Sequence, residues 1–285
     1  MNDPTFLDAM MADADERGYQ TGPYWRFRAE RSADLIRQIG LDDFRATPII
    51  EGYGDSFLPV PSFSEALQHV RHALADSLRV RYLLDKYTMP PSVSCSCREY
   101  VEIDGEPVSI LYLSLLDEID HIAQKIDLSA VRSLFEIGGG FGANIHLLLS
   151  NFPNIRQVVL LDIPPTLYVA TQYLRQFYPV RDYRDAQRSI TGDGIITIAP
   201  WQIGNVPPVD LFWNAHSMVE MPHEVAAGYA SRIVARRVML LSYGGYNLNT
   251  TWHPDQLPGL FPQHSFERTV NPPLYGSQER YLFTS

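Results

Sequence analysis

Cysteine is almost missing from this 285-residue chain, with Cys95 and Cys97 the only two. A single intervening residue is too tight for an ordinary structural disulfide, and no second pair exists to complete a zinc site. Both read as reduced cysteines in or near a strand. Positive charge is also scarce: Lys+Arg 23 against Asp+Glu 33 leaves a net −10. Phosphate binding needs clustered cations, so the balance argues against nucleic acid or an anionic membrane as the main partner. No apolar run approaches the roughly 18 residues that cross a bilayer. The opening Met1-Asn-Asp-Pro-Thr-Phe-Leu-Asp8 has neither the basic segment nor the apolar core of a secretion signal. Internal repeats and low-complexity stretches are absent too. These absences lead to the expectation of a soluble cytoplasmic protein with a small-molecule partner.

What is present centres on Glu136-Ile-Gly-Gly-Gly-Phe-Gly142. Val131-Arg-Ser-Leu-Phe135 before it reads as a buried strand, and Ala143-Asn-Ile-His-Leu-Leu-Leu149 after it has the spacing of a helix start. A strand, a glycine turn and a helix in that order form a nucleotide-binding loop, because glycine permits close backbone approach and helix N-termini carry unpaired N–H groups. A second apolar run, Gln157-Val-Val-Leu-Leu-Asp162, ends in an acid 24 residues after Gly138. Such folds place a ribose-binding carboxylate at about that distance.

The loop satisfies two templates. Gly138, Gly140 and Gly142 give the G-x-G-x-G of S-adenosyl-L-methionine (SAM) methyltransferases, and Gly138, Gly140 and Ala143 give the dinucleotide fingerprint. Glu136 favours the first, since a carboxylate beside the cradle attracts an ammonium group and repels a pyrophosphate. The loop also begins mid-chain, and the chain ends in two β-like runs, Ser265–Val270 and Glu279–Phe283. An NAD(P)-dependent oxidoreductase is the rival reading.

The segment before residue 115 reads as a mainly helical cap or substrate lid. Phe6–Glu16, Tyr24–Ile39 and Phe63–Tyr87 show helical apolar spacing, with Ser62-Phe-Ser-Glu65 as a capping box for the third. Asp104-Gly105 marks a hairpin, and Leu111–Ile126 reads as a helix. From 116 to 285, strands expected at Ser133–Ile137, Gln157–Asp162, Ile195–Ile198, Leu211–Ala215 and Arg237–Ser242 alternate with helices near Ala143–Asn151, Pro165–Phe177 and His223–Ile233. That alternation predicts an α/β, Rossmann-like doubly wound sheet, closed by a C-terminal antiparallel hairpin.

Three segments carry a family resemblance: Glu136-Ile-Gly-Gly-Gly-Phe-Gly142, Leu161-Asp-Ile-Pro164 and Asn214-Ala-His-Ser-Met-Val-Glu-Met221. They resemble the E-I-G-G-G-x-G, D-L-P and N-x-x-S-x-x-E-M segments of sugar O-methyltransferases from antibiotic and surface-polysaccharide gene clusters. Isoleucine stands here where leucine is usual in the second motif. The likeness covers about residues 100 to 250 and implies a class I methyltransferase fold, SAM as donor and a sugar hydroxyl as acceptor. N-methylation or a phenolic acceptor are the alternatives that keep the donor.

Ligands of open α/β sheets sit beyond the carboxyl ends of the strands. The expected cofactor set is Glu136, Gly138, Gly139, Gly140 and Phe141 for the amino-acid part, Asp162 and Ile163 for the ribose, Trp201 and Gln202 for the adenine, and Asn214 near the sulfur. A sugar hydroxyl is a poor nucleophile near neutrality, which makes a nearby base useful. His216 at the fourth strand end is that base, with Glu220 orienting it from one turn on. Tyr243, Tyr246, Asn247 and His253 are the expected acceptor-side residues. His216, Glu220 and His253 together leave room for a divalent cation, and a homo-oligomer is compatible with the chain.

Overall fold

The computed structural model describes residues 3–17, 23–46, 63–245, 250–271, 274 and 279–284. The chain begins with helices α1 (Pro4–Glu16) and α2 (Pro23–Ile39), and Phe6, Leu7 and Met10 form the buried face of α1. The helix expected over Phe63–Tyr87 is two helices, α3 (Phe63–Ala75) and α4 (Leu78–Lys86). Ser77 breaks it: the residue is extended (φ −72, ψ 120) and its hydroxyl accepts from the Val80 N–H, starting a new helix. Apolar spacing runs on through this cap, which is why periodicity alone joined the two. Ser62, offered as a capping residue, lies outside the described residues.

Strands β1 (Tyr100–Ile103) and β2 (Glu106–Ser109) form the expected hairpin. Ile103 pairs with Glu106, leaving Asp104 and Gly105 as a two-residue turn with φ of 53 and 85. Cys95 and Ser96 lie in a turn before it, both with positive φ, and Cys97 follows them towards β1. Helix α5 (Ile110–Ala123) then leads to the main sheet, capped by the Ser109 hydroxyl.

Beyond α5 the chain runs β3 (Ser133–Ile137), α6 (Ala143–Asn151), β4 (Gln157–Leu161), α7 (Pro164–Leu174), β5 (Val180–Arg181), α8 (Tyr183–Ala186) and β6 (Gly194–Ile198). It continues through β7 (Val209–Ala215), α9 (Ser217–Glu220), α10 (His223–Ala230), β8 (Ala235–Tyr243), β9 (Phe266–Asn271) and β10 (Glu279–Thr284). Each strand expected from the apolar runs is present. The two-residue edge strand β5, with α8 after it, was not legible from them. The sheet order is β5-β6-β4-β3-β7-β8-β10-β9, with β10 antiparallel to both neighbours and the pairs from β5 to β8 parallel.

Strand side chains alternate between two cores. Leu134, Leu160, Leu211, Trp213 and Met239 face a layer that holds α1, α2, α5, α6 and α7. Phe135, Val159, Phe212, Val238 and Leu240 face Ala226, Tyr229 and Ala230 of α10 with Trp252 and Phe261. Both faces are covered, as a parallel sheet requires. Strand order runs outward from β3 to β6 and then restarts on the other side at β7. The crevice at the carboxyl ends of β3 and β7 is therefore the topological switch point. Among the described residues no helix is long and apolar enough to cross a membrane.

Candidate functional site

The glycine loop fills that crevice. Gly138, Gly140 and Gly142 all have positive φ (75, 59 and 93), a region closed to most side chains. A side chain at Gly139 would run into Leu160 and the Glu136 carboxyl, and one at Gly142 into Leu174. The loop is pinned by Gly138 N–H donating to Leu161 O (2.8 Å) and Gly140 N–H donating to Asp162 Oδ2 (3.1 Å). Phe141 turns its ring away from the crevice into the core, 5.3 Å from Phe44 and 4.9 Å from Tyr173, with the Arg45 guanidinium over it. Only its backbone is left to meet a ligand.

Glu136 lies beneath the loop and is 2% exposed. Oε1 accepts from Asn144 Nδ2 at 3.0 Å, whereas Oε2 is buried and has no hydrogen-bond partner among the described residues. Burial pushes this carboxyl up to about 7; the Asn144 bond pulls the other way and the Asp162 charge adds to the rise. Asp162 is held by the Ile163 N–H (2.8 Å), the Gly140 N–H and the Thr166 hydroxyl. Desolvation at the foot of the crevice still raises it to about 7, and the Glu220 charge contributes. Trp201 is half-buried beside Tyr183, with the Arg17 guanidinium over its ring. Gln202 differs from expectation: its Oε1 accepts from Ala199 N–H and its Nε2 donates to Tyr183 O, so the amide closes the turn after β6.

Asn214 is likewise a structural amide. It is 1% exposed; Nδ2 donates to Ile137 O (2.9 Å) and Ser217 Oγ (2.6 Å), and Oδ1 accepts from Met218 N–H (3.3 Å). His216 follows with φ 64 and ψ −40, a conformation rare outside glycine, and its N–H donates to Leu241 O (2.9 Å). Its ring lies 4.4 Å from that of Tyr243, tilted 32°. Glu220 takes the Tyr243 hydroxyl on Oε1 at 2.6 Å. Among the described residues no hydrogen bond joins Glu220 to the imidazole, so the expected direct orientation is replaced by a link through Tyr243.

The ring of His253 is engaged elsewhere. Its Nδ1 accepts from Asp255 N–H (3.1 Å), capping the turn of helix at Pro254–Leu260. Among the described residues no three His, Cys, Asp or Glu side chains come together as a metal site, so His216, Glu220 and His253 do not form one. Tyr246 and Asn247 lie outside the described residues. Trp213 and Trp252 are core side chains.

Three carboxylates therefore border one crevice, and one buried carboxylate oxygen is left unpaired. Buried acceptors without a partner are rare in folded proteins; this one calls for a hydrogen-bond donor, and when ionised it favours a cationic one. SAM, the donor implied by the resemblance, carries an ammonium and a sulfonium and fits that demand. A pyrophosphate would add negative charge to negative charge.

Residues 106–184 match the family model described as the O-methyltransferase domain. Over that stretch the chain is similar to an O-methyltransferase domain. The matched stretch runs from β2 into α8, including the glycine loop and Asp162, and stops short of His216. Curated protein sequences return no match. Among solved structures, the chain is similar to the mitomycin 7-O-methyltransferase MmcR, at 16% identity and a TM-score of 0.42, over 90% of this chain and 72% of that one. It is also similar to the pyocyanin biosynthetic protein PhzM, at 13% identity and a TM-score of 0.42, over 61% of this chain and 57% of that one. A third is the O-methyltransferase NcsB1 from neocarzinostatin biosynthesis, solved with S-adenosyl-L-homocysteine (SAH) and 1,4-dihydroxy-2-naphthoic acid. The likeness there is 14% identity and a TM-score of 0.40, over 62% of this chain and 56% of that one. The aligned part of this chain thus spans a little over half the length of PhzM and NcsB1.

Proposed function

We propose that the chain is a SAM-dependent O-methyltransferase acting on a hydroxyl of a sugar or another polyhydroxylated small metabolite. The unpaired Glu136 Oε2 under the glycine loop carries this reading. Glu136 holds the ammonium of the donor, Asp162 the ribose hydroxyls, and Trp201 frames the adenine, with Gly138 to Gly140 and Ile163 supplying backbone contacts. When bound, SAM supplies a methyl group on a positively charged sulfur.

Methyl transfer of this kind is an in-line displacement with a good neutral leaving group, so alignment and proton removal are the tasks left to the protein. His216 takes the acceptor hydroxyl proton as the O–C bond forms and the C–S bond breaks. The half-buried Glu220 and Tyr243 border the acceptor, and residues 1–115 act as its cap. The His216 and Tyr243 rings, 4.4 Å apart and tilted by 32°, also give the acceptor side an aromatic lining, which favours a phenolic acceptor as the second reading.

Calorimetry with SAH and with NAD(H) tests the donor, and binding of NAD(H) alone would sink it. A panel of sugars, glycosides and phenols incubated with SAM and read by mass spectrometry separates the acceptor classes. His216→Ala lowers kcat by about 10²- to 10⁴-fold while leaving SAH affinity within about threefold. Full methylation rate across pH in that variant removes His216 as the base.

A further inference from the structure

The end of β7 is tied to the glycine loop by more than strand pairing. In the ladder Ile137 stands opposite Asn214. The carbonyl of Ile137 accepts from both Asn214 Nδ2 and Ser217 Oγ, each at 2.9 Å, and Asn214 Nδ2 donates to that same hydroxyl at 2.6 Å. The next residue, Gly138, has φ 75, and the volume a side chain would take there is filled by Cβ and Oγ of Ser217. Gly138 N–H is bonded in turn to Leu161 O at the end of β4. His216 stands between Asn214 and Ser217 in its disfavoured backbone conformation, and its own N–H is fixed to Leu241 O on β8. Strained residues persist only where their surroundings over-determine them. Here the residues on either side, Asn214 and Ser217, are the ones bonded to Ile137 O at the start of the glycine loop.

We infer that Ser217 and Asn214 are positioning residues that join the donor loop and the His216 backbone into one rigid piece. The inference rests on the proposed donor and base. Its consequence is that occupancy of the donor cradle is felt at the imidazole through the Ser217–Ile137 bond, and that the base keeps a fixed place relative to the methyl group. Removing the Ser217 hydroxyl leaves its Cβ packed against Gly138 and Ile137 O still bonded to Asn214. Ser217→Ala therefore loosens the coupling without emptying the site.

The test uses the full chain with Ser217→Ala and Ser217→Cys, the latter keeping similar size and a weak donor. Calorimetry gives SAH affinity, and proton NMR follows the His216 Cε1–H resonance with and without SAH. In the wild type SAH shifts that resonance. In Ser217→Ala the shift falls to less than about half, SAH affinity stays within about threefold, and Ser217→Cys recovers part of the shift. With an accepted hydroxyl, kcat falls roughly tenfold while acceptor KM stays within about twofold, the split expected from misplacement rather than lost binding. A shift in Ser217→Ala equal to that of the wild type overturns the coupling alone. Absence of SAH binding in the wild type overturns the donor reading, and the coupling falls with it.

Discussion

Glu136 of β3 and Asn214 of β7 are buried polar residues one rung apart on neighbouring strands, and the fold treats them in opposite ways. Asn214 meets Ile137, Ser217 and Met218 with its two polar atoms. Among the described residues Glu136 hydrogen-bonds Asn144 through Oε1, and its Oε2 has no partner. An amide sealed on all sides acts as scaffold, whereas an unpaired carboxylate oxygen at the same depth destabilises the protein unless a ligand supplies the missing donor. The difference separates the crevice into a receptive end at β3 and a braced end at β7.

The comparison breaks most visibly at Glu136. Glu136→Gln removes the charge and keeps the shape, and SAH affinity at pH 8 falls by about 2–3 kcal/mol, roughly 30- to 150-fold by calorimetry. Stability of the ligand-free protein moves the other way. A carboxyl raised to about 7 in the fold keeps a proton that the unfolded chain releases near its ordinary value, so the fold loses stability as pH climbs from about 4.5 to 7 and no further above. Glutamine escapes that loss. The variant is thus more stable than the wild type by up to about 3 kcal/mol at pH 8 and equal to it near pH 4, as read by urea unfolding.

Asn214→Ala should produce the reverse pattern. It leaves Ile137 O with Ser217 Oγ as its one side-chain partner, takes from that hydroxyl the donor it accepts from, and leaves Met218 N–H without Asn214 Oδ1, which destabilises the fold by about 2–3 kcal/mol. Urea unfolding at pH 8 checks this, and a stabilised Asn214→Ala would erase the distinction between the two strand ends. Next in size is a pH effect on binding. Because Glu136 and Asp162 both rise to about 7, an ammonium must displace protons to bind below that value. SAH affinity therefore grows with pH, by up to about tenfold per unit below 7 for each coupled proton, and flattens above about 8. A flat calorimetric profile from pH 5.5 to 8.5 would mean that neither carboxyl meets the ligand.

The receptive end was the more legible in sequence, because its parts are local. Strand, glycines and helix occupy Ser133 to Asn151 without interruption, and Asp162 follows on the next strand, so spacing alone carries the pattern. The braced end depends on contacts that no spacing announces. Tyr243 meets Glu220 from 23 residues away because β8 pairs with β7, and that pairing replaces the direct His216–Glu220 contact suggested by a four-residue interval. Asn214, Gln202 and His253 are polar residues at strand ends or loops, where binding and turn-closing look alike in one dimension. The structure gives all three to backbone groups. Phe141 sits among the glycines by position and in the core by packing, since the facing surface is built by Phe44 and Tyr173 from distant segments.

The smallest expected effect tests whether the braced end works through Tyr243. Its ring lies against His216 and its hydroxyl donates to Glu220 Oε1 at 2.6 Å, so the two functions of the side chain can be taken apart. Tyr243→Phe keeps the ring and removes the hydroxyl's bond to the carboxylate, which is worth about 0.5–1.5 kcal/mol at a half-buried site. The Glu220 side chain then loses its fixed rotamer, and its charge is free to drift relative to the imidazole. A fall in kcat of about two- to tenfold follows, with SAH affinity unchanged because the proposed donor contacts lie at the carboxyl ends of β3, β4 and β6, away from Tyr243 on β8. A larger loss, comparable to that of His216→Ala, would assign proton removal to the Tyr243–Glu220 pair and demote the histidine to a wall of the pocket. No loss at all would show that Glu220 stands apart from the chemistry, leaving the ring contact alone to steady the base.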